Sequence, residues 1–228
     1  MLLHIPQVLQ PEQLQAIRRA LDSADWADGK STAGAQAMRV KDNLQLAPAS
    51  ALAVQLAEQV SQALLAHPMF QSAVLPNRMV TPLFNRYEGG GQYGNHVDGA
   101  FQHDLRPGGA GRIRGDVSTT VFLCEPDEYE GGELIVEDSY GAHEVKLPAG
   151  DAIVYPSGSI HRVEPVTRGA RLASFLWTQS LVRDDARRTM LFELDMTILR
   201  LRQQHGDTDE TVALTSHYHN LLRMWAEL

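Results

Sequence analysis

One cysteine, Cys124, is all that this chain of 228 residues contains, so an intrachain disulfide is excluded. It sits in the apolar run Val121-Phe122-Leu123-Cys124 and reads as a small core residue. Positive charge is also scarce: 20 Lys and Arg stand against 28 Asp and Glu, a formal charge of -8. That balance lacks the basic footprint of a nucleic-acid or anionic-membrane binder, so neither partner is expected. No apolar run approaches a membrane span, and the opening Met1-Leu2-Leu3-His4-Ile5-Pro6 has neither the length nor the basic flank of a signal peptide. A cytoplasmic, soluble protein is expected. Internal repeats and low-complexity tracts are missing as well, which leaves one domain with appendages as the reading for a chain that is 43% hydrophobic.

What is present divides by hydrophobic period. Pro11 opens a segment with Leu14, Ile17 and Leu21 on one face, and Pro48 opens another with Leu52, Leu56, Val60 and Leu64. The spacing predicts helices over 11–24 and 48–67, with 26–43 between them as a surface loop rich in Gly, Ser, Ala and charge. From Met79 to Gln179 the pattern changes to short β-branched or aromatic runs separated by Gly, Pro and Asp. Strands are predicted over 80–87, 117–123, 133–136, 143–147, 152–155, 160–166 and 172–178. So many strands without interleaved helices imply an antiparallel sandwich or barrel. From Arg183 helical spacing returns, through Leu191, Leu194, Ile198 and Leu201, then Leu214, Tyr218, Leu221 and Trp225. The domain reading is thus 1–180 for the main domain, with its β core over 79–179, and 181–228 for a helical appendage. Its apolar helices offer a contact between copies of the chain, a homo-oligomer.

Chemistry concentrates in the β zone at Tyr93-Gly94-Asn95-His96-Val97-Asp98. In an extended chain alternate side chains share a face, so His96 and Asp98 project together and Val97 points away. An imidazole and a carboxylate make an incomplete metal site. His161, 63 positions after Asp98 and at the start of a predicted strand, supplies a third ligand. Two His and one carboxylate leave three octahedral positions open, the arrangement of non-haem iron(II) oxygenases. His103, followed by Asp104, stands as a substitute ligand in the loop 99–116. His217 and His219, two apart on a helix, do not face each other. The stretch Gly108-Gly109-Ala110-Gly111-Arg112 lacks the lysine and strand-to-helix context of a phosphate cradle, and fits a mobile lid instead.

Arg171 provides a second line of reasoning. If the chain turns at Thr167-Arg168-Gly169 as a hairpin, residue 171 lies opposite 165, which shares parity with 161, and Arg171 faces the metal side. It would then lie about 13 Å from His161 along the strand direction at a rise near 3.3 Å per residue. That separation suits a five-carbon diacid reaching from metal to guanidinium, whose planar fork donates two parallel hydrogen bonds to a carboxylate. Arg162 and Arg168 take that role instead if the turn differs.

Together, His96-x-Asp98, His161 and Arg171 ten positions later resemble the motif of the Fe(II)/2-oxoglutarate dioxygenases, in their prolyl 4-hydroxylase-like branch. The run from Phe84 to Asp98, with Gly131-Gly132-Glu133-Leu134 after it, is similar to the bacterial PKHD-type hydroxylases, PiuC/YbiX-like, and the similarity spans nearly the whole chain. It implies a mainly β fold with flanking α: a double-stranded β-helix, or jelly roll, with N-terminal helices packed on it and a C-terminal helical appendage. The resemblance further implies Fe(II), 2-oxoglutarate and O2 as requirements, L-ascorbate as supporting reductant, and a link to bacterial iron homeostasis. The implied reaction hydroxylates a small-molecule or peptide substrate and releases succinate and CO2. Tyr87 occupies a position where such enzymes place an aromatic near 2-oxoglutarate, and Tyr93 and Asn85 are candidates for the surroundings of the site. Two other classes stand beside this reading: a cupin-like barrel acting as isomerase or small-ligand sensor, and a non-catalytic interaction module.

Overall fold

The computed structural model describes residues 1–32, 36–103 and 111–228. In chain order its elements begin with β1 (Leu3–Ile5), α1 (Pro11–Asp22), β2 (Trp26–Asp28), β3 (Lys41–Asp42) and β4 (Leu44–Leu46). Next come α2 (Ala51–Ala66), α3 (Pro68–Val74), β5 (Pro76–Met79), β6 (Leu83–Glu88), β7 (Gln92–His96), β8 (Phe101–His103) and β9 (Arg112–Arg114). They are followed by β10 (Val117–Phe122), β11 (Tyr129–Gly131), β12 (Leu134–Asp138), β13 (Gly141–Val145) and β14 (Ala152–Pro156). β15 (His161–Val163), the long β16 (Val166–Ser180), α4 (Asp185–His205) and α5 (Asp209–Trp225) complete the chain.

All strand pairs among the described residues are antiparallel. The larger sheet runs β1-β14-β10-β16-β6-β4-β2, with β11 and β5 also paired to β16. The smaller runs β13-β12-β15-β7-β3, and β8 and β9 form a separate ribbon. These sheets enclose the interior of a double-stranded β-helix. β10 is an interior strand of the larger sheet, between β14 and β16, and is buried along its whole length; its Ser and Thr side chains line a cavity between the sheets. Cys124, just past β10, is buried in the core as expected.

The helices pack by their apolar faces. Ser50 caps α2 by accepting a hydrogen bond from the Ala53 amide at 3.1 Å, so the helix begins at Ala51, after Pro48. Leu56, Val60 and Leu64 of this helix are fully buried, each worth about 1.5–3 kcal/mol relative to exposure. α4 closes a smaller cluster in which Leu191 meets Leu75 and Val182, with Tyr218, Leu221 and Trp225 of α5 packed beside them. Polar ties fix its placement: Ser72 donates to Asp195 at 2.5 Å, and the buried Arg188 donates to the carbonyls of Val182 and Arg183.

Several expectations need correction. The segment 26–43 is not simply a surface loop, because β2 and β3 each join a sheet. β1 likewise pairs with β14, so the β structure recruits residues well before 79. α3 had no separate signal, since its seven residues are too few for a visible period. The predicted hairpin does not exist: β15 pairs with β12 and β7, whereas β16 pairs with β10 and β6. Pro165 lacks the amide needed to continue a ladder, and the chain crosses there from one sheet to the other.

Candidate metal centre

The two sheets bring together residues that are far apart in the sequence. His96 ends β7, His161 begins β15, and the two are direct cross-strand partners. Their rings lie 4.1 Å apart between centroids. Between this pair and Tyr93–Val163, Gly94 and Asn95 of β7 oppose the single Arg162 of β15, a bulge that brings Tyr93 to the His96 side. Tyr93 consequently stacks on the His96 ring, with centroids 3.6 Å apart and planes at 17°. Asp98 lies two residues beyond the strand end, and its carboxylate comes 3.7 Å from Nε2 of His161. One ligand atom from each of His96, Asp98 and His161 lies within 4.8 Å of the others. Val97 is exposed between them, as alternation requires.

Hydrogen bonding determines which nitrogens are free. Nδ1 of His96 donates to the Gly94 carbonyl at 2.8 Å, and Nδ1 of His161 donates to the Ser159 carbonyl at 3.0 Å. A carbonyl only accepts, so each imidazole carries a proton on Nδ1, which leaves Nε2 as the nitrogen that can face a metal. Burial, reinforced by the neighbouring His161, lowers the His96 pKa to about 4 and keeps the ring neutral near pH 7. Two imidazole nitrogens and one carboxylate make a donor set for a divalent ion with open positions, and they fit ferrous iron.

Arg171 enters from the opposite sheet. It stands on β16 across from Tyr87 of β6, and is 1% exposed. Its guanidinium lies 5.6 Å from the Tyr87 ring centroid and 5.2 Å from that of Phe122. Nε has no hydrogen-bond partner, and no carboxylate of the described residues pairs with it. A buried guanidinium without a carboxylate partner is costly, and a bound carboxylate would offset that cost. Arg162 and Arg168 are occupied elsewhere, with Glu137 and Glu164 and with Glu130 respectively. Burial pushes the Tyr87 hydroxyl up to about 12, although Arg171 acts in the opposite direction. One cavity of about 910 Å3 is lined by the three clustered residues together with Arg171, Tyr87, Tyr93 and Asn85.

The glycine pair before β12 has a steric role. Gly131 and Gly132 have φ of +71° and +69°, and a Cβ on Gly131 would meet the Pro165 carbonyl oxygen at 2.0 Å. On Gly132 it would lie 3.1 Å from Cδ of Arg171.

Sequence reasoning missed several residues. Ser118 donates to Asp98 at 2.5 Å, and Lys41, 4% exposed, lies 5.3 Å from the Tyr93 ring centroid. Burial lowers the Lys41 pKa to about 8, against the pull of Asp28 and Asp98. No motif announces either, since both approach only through tertiary pairing. His103 lines the cavity but stands outside the three-ligand group, while His217 and His219 are exposed on α5. The lid expected over 99–116, with Asp104 and Gly108-Gly109-Ala110, lies in part outside the described residues; its described ends form β8 and β9.

Comparison with known proteins decides the family. Residues 82–179 match the model of the 2OG-Fe(II) oxygenase superfamily, and 185–227 match that of the PKHD-type hydroxylase C-terminal domain. A PKHD-type hydroxylase of Hyphomonas neptunium is 65% identical over 227 residues, covering 100% of both chains. This chain belongs to the PKHD-type hydroxylases. As a member it is a dioxygenase dependent on Fe(II) and 2-oxoglutarate, and the isomerase, sensor and interaction-module readings lose their basis. Solved structures agree on the fold. A prolyl-4-hydroxylase from Pseudomonas putida superposes with a TM-score of 0.54 at 21% identity, covering 78% of this chain and 92% of that one. A prolyl hydroxylase from Trichoplax adhaerens gives 0.58 at 14% identity, covering 83% and 86%. Among the described residues of the hydroxylase, no helix is long and apolar enough to cross a membrane.

Proposed function

We propose that His96, Asp98 and His161 hold the ferrous ion of this hydroxylase, and that Arg171 binds the remote carboxylate of 2-oxoglutarate. One observation carries the reading: a three-ligand cluster and a buried guanidinium without a carboxylate partner share one cavity. When bound, iron and 2-oxoglutarate supply oxidative decarboxylation coupled to hydroxylation of a substrate C–H bond, with O2 consumed and succinate and CO2 released.

The protein's own contribution is position and exclusion of water. Gly94 and Ser159 hold both imidazoles in the Nδ1-protonated form, and Tyr93 fixes the His96 ring by stacking. Tyr87 and Phe122 flank the guanidinium and keep its surroundings dry, which strengthens the pair it forms with a carboxylate. Asn85 is 7% exposed and its Oδ1 has no partner, so it offers a further polar contact on the cavity wall.

The substrate is a small molecule or peptide, L-ascorbate is the supporting reductant, and the enzyme works in the cytoplasm in connection with iron homeostasis. Contact between C-terminal helices of two copies gives a homo-oligomer. Aerobic incubation with Fe(II) and 2-oxoglutarate tests the reaction: succinate forms, ascorbate sustains its formation, and Arg171→Ala suppresses it. Succinate formation that does not depend on iron or on Arg171 contradicts the assignment.

A further inference from the structure

Asp98 differs from the two histidines in how it is supported. The imidazoles sit on paired strands, whereas Asp98 lies past the end of β7 and before the β8–β9 ribbon, followed by Gly99. Ser118 supplies a hydrogen bond to its carboxylate, with Oγ 2.5 Å from Oδ2. The same Oγ lies 2.8 Å from Oγ of Ser157. Ser118 and Ser157 are 3% and 2% exposed.

Hydroxyl chemistry gives this chain a direction. An ionised carboxylate only accepts, so the single proton of Ser118 is committed to Asp98. Ser118 then accepts from Ser157, and the chain runs from Ser157 through Ser118 to Asp98. Its base is rigid. Ser118 stands on β10, the strand flanked by β14 and β16, with Tyr155 and Trp177 as cross-strand partners. Ser157 follows β14 directly, and its amide donates to the Asp116 carbonyl at 3.1 Å. Thus a loop-borne carboxylate on the side of the smaller sheet is tied to an interior strand of the larger one.

We infer that Ser118, backed by Ser157, is a positioning residue that sets the orientation of the Asp98 carboxylate and thereby the affinity of the three-ligand site for a divalent metal. This inference rests on the metal assignment proposed above. Outer hydrogen-bond partners of ligands commonly contribute roughly 10- to 100-fold in metal affinity.

Cobalt(II) titration of the full chain, followed by visible absorption, tests it, with the melting temperature of each metal-free variant measured in parallel. Ser118→Ala weakens cobalt binding roughly 10- to 100-fold, while Ser118→Thr, which keeps the hydroxyl, binds within about threefold of the native protein. Ser157→Ala weakens binding less, and adding it to Ser118→Ala brings no further loss, because it acts only through Ser118. Native affinity in a folded Ser118→Ala, whatever its melting temperature, overturns the inference but leaves the metal site standing. Absent cobalt binding in the native protein, or binding unchanged in His161→Ala, removes the metal assignment and this inference with it. If Ser118→Ala does not fold, Ser157→Ala and Ser118→Thr decide: native affinity in the first or lost affinity in the second contradicts the relay.

Discussion

At the scale of single residues, the site depends on groups made reactive by burial. Replacing Arg171 with Lys keeps one charge but removes the planar fork, and hydrogen bonds to charged groups are worth about 1.5–3 kcal/mol. The KM for 2-oxoglutarate in a succinate assay should therefore rise roughly 10- to 150-fold, with melting temperature little changed. Lys41 gives a pH signature. Its pKa falls from 10.5 to about 8 on folding, so below pH 8 it is charged in both states and its burial cost is fully present. Between pH 8 and 10.5 the unfolded chain binds the extra proton, and stability rises with pH. Denaturant unfolding of the metal-free protein should show native stability gaining up to about 3 kcal/mol on Lys41→Met across that window.

At the scale of elements, the sequence was readable where period and parity operate and unreadable where long-range pairing decides. His96 and Asp98 were joined by the two-residue rule, and the structure brings them together although β7 ends at His96. Arg171 was expected to face inward from a hairpin that does not form. It lines the cavity instead from β16, opposite Tyr87 of β6. Short strands such as β2 and β3 carry too few residues to show alternation, and Ser118 meets Asp98 only after the two sheets close. The glycine pair shows the same dependence on tertiary contact: Gly132→Ala places a Cβ 2.8 Å from Val166 and 3.1 Å from Arg171 at a positive φ. Strain of this kind costs about 1–3 kcal/mol. Calorimetry should show a lower melting temperature, together with weaker 2-oxoglutarate binding, because Arg171 is displaced.

For the whole molecule, the β-helix works as a frame that sets the cluster of His96, Asp98 and His161 and the buried Arg171 of the larger sheet into one cavity. The helical appendage packs on the rest of the chain through the cluster of Leu75, Val182 and Leu191. Leu191→Ala, at a fully buried position, should cost about 2–5 kcal/mol in denaturant unfolding. The cavity between the sheets remains the centre of the account, and its test is spectroscopic. Anaerobic addition of Fe(II) and 2-oxoglutarate should produce the weak visible charge-transfer band in the native protein and none in His161→Ala. A band of equal strength in that variant would contradict the assignment of the third ligand and, with it, the metal centre described above.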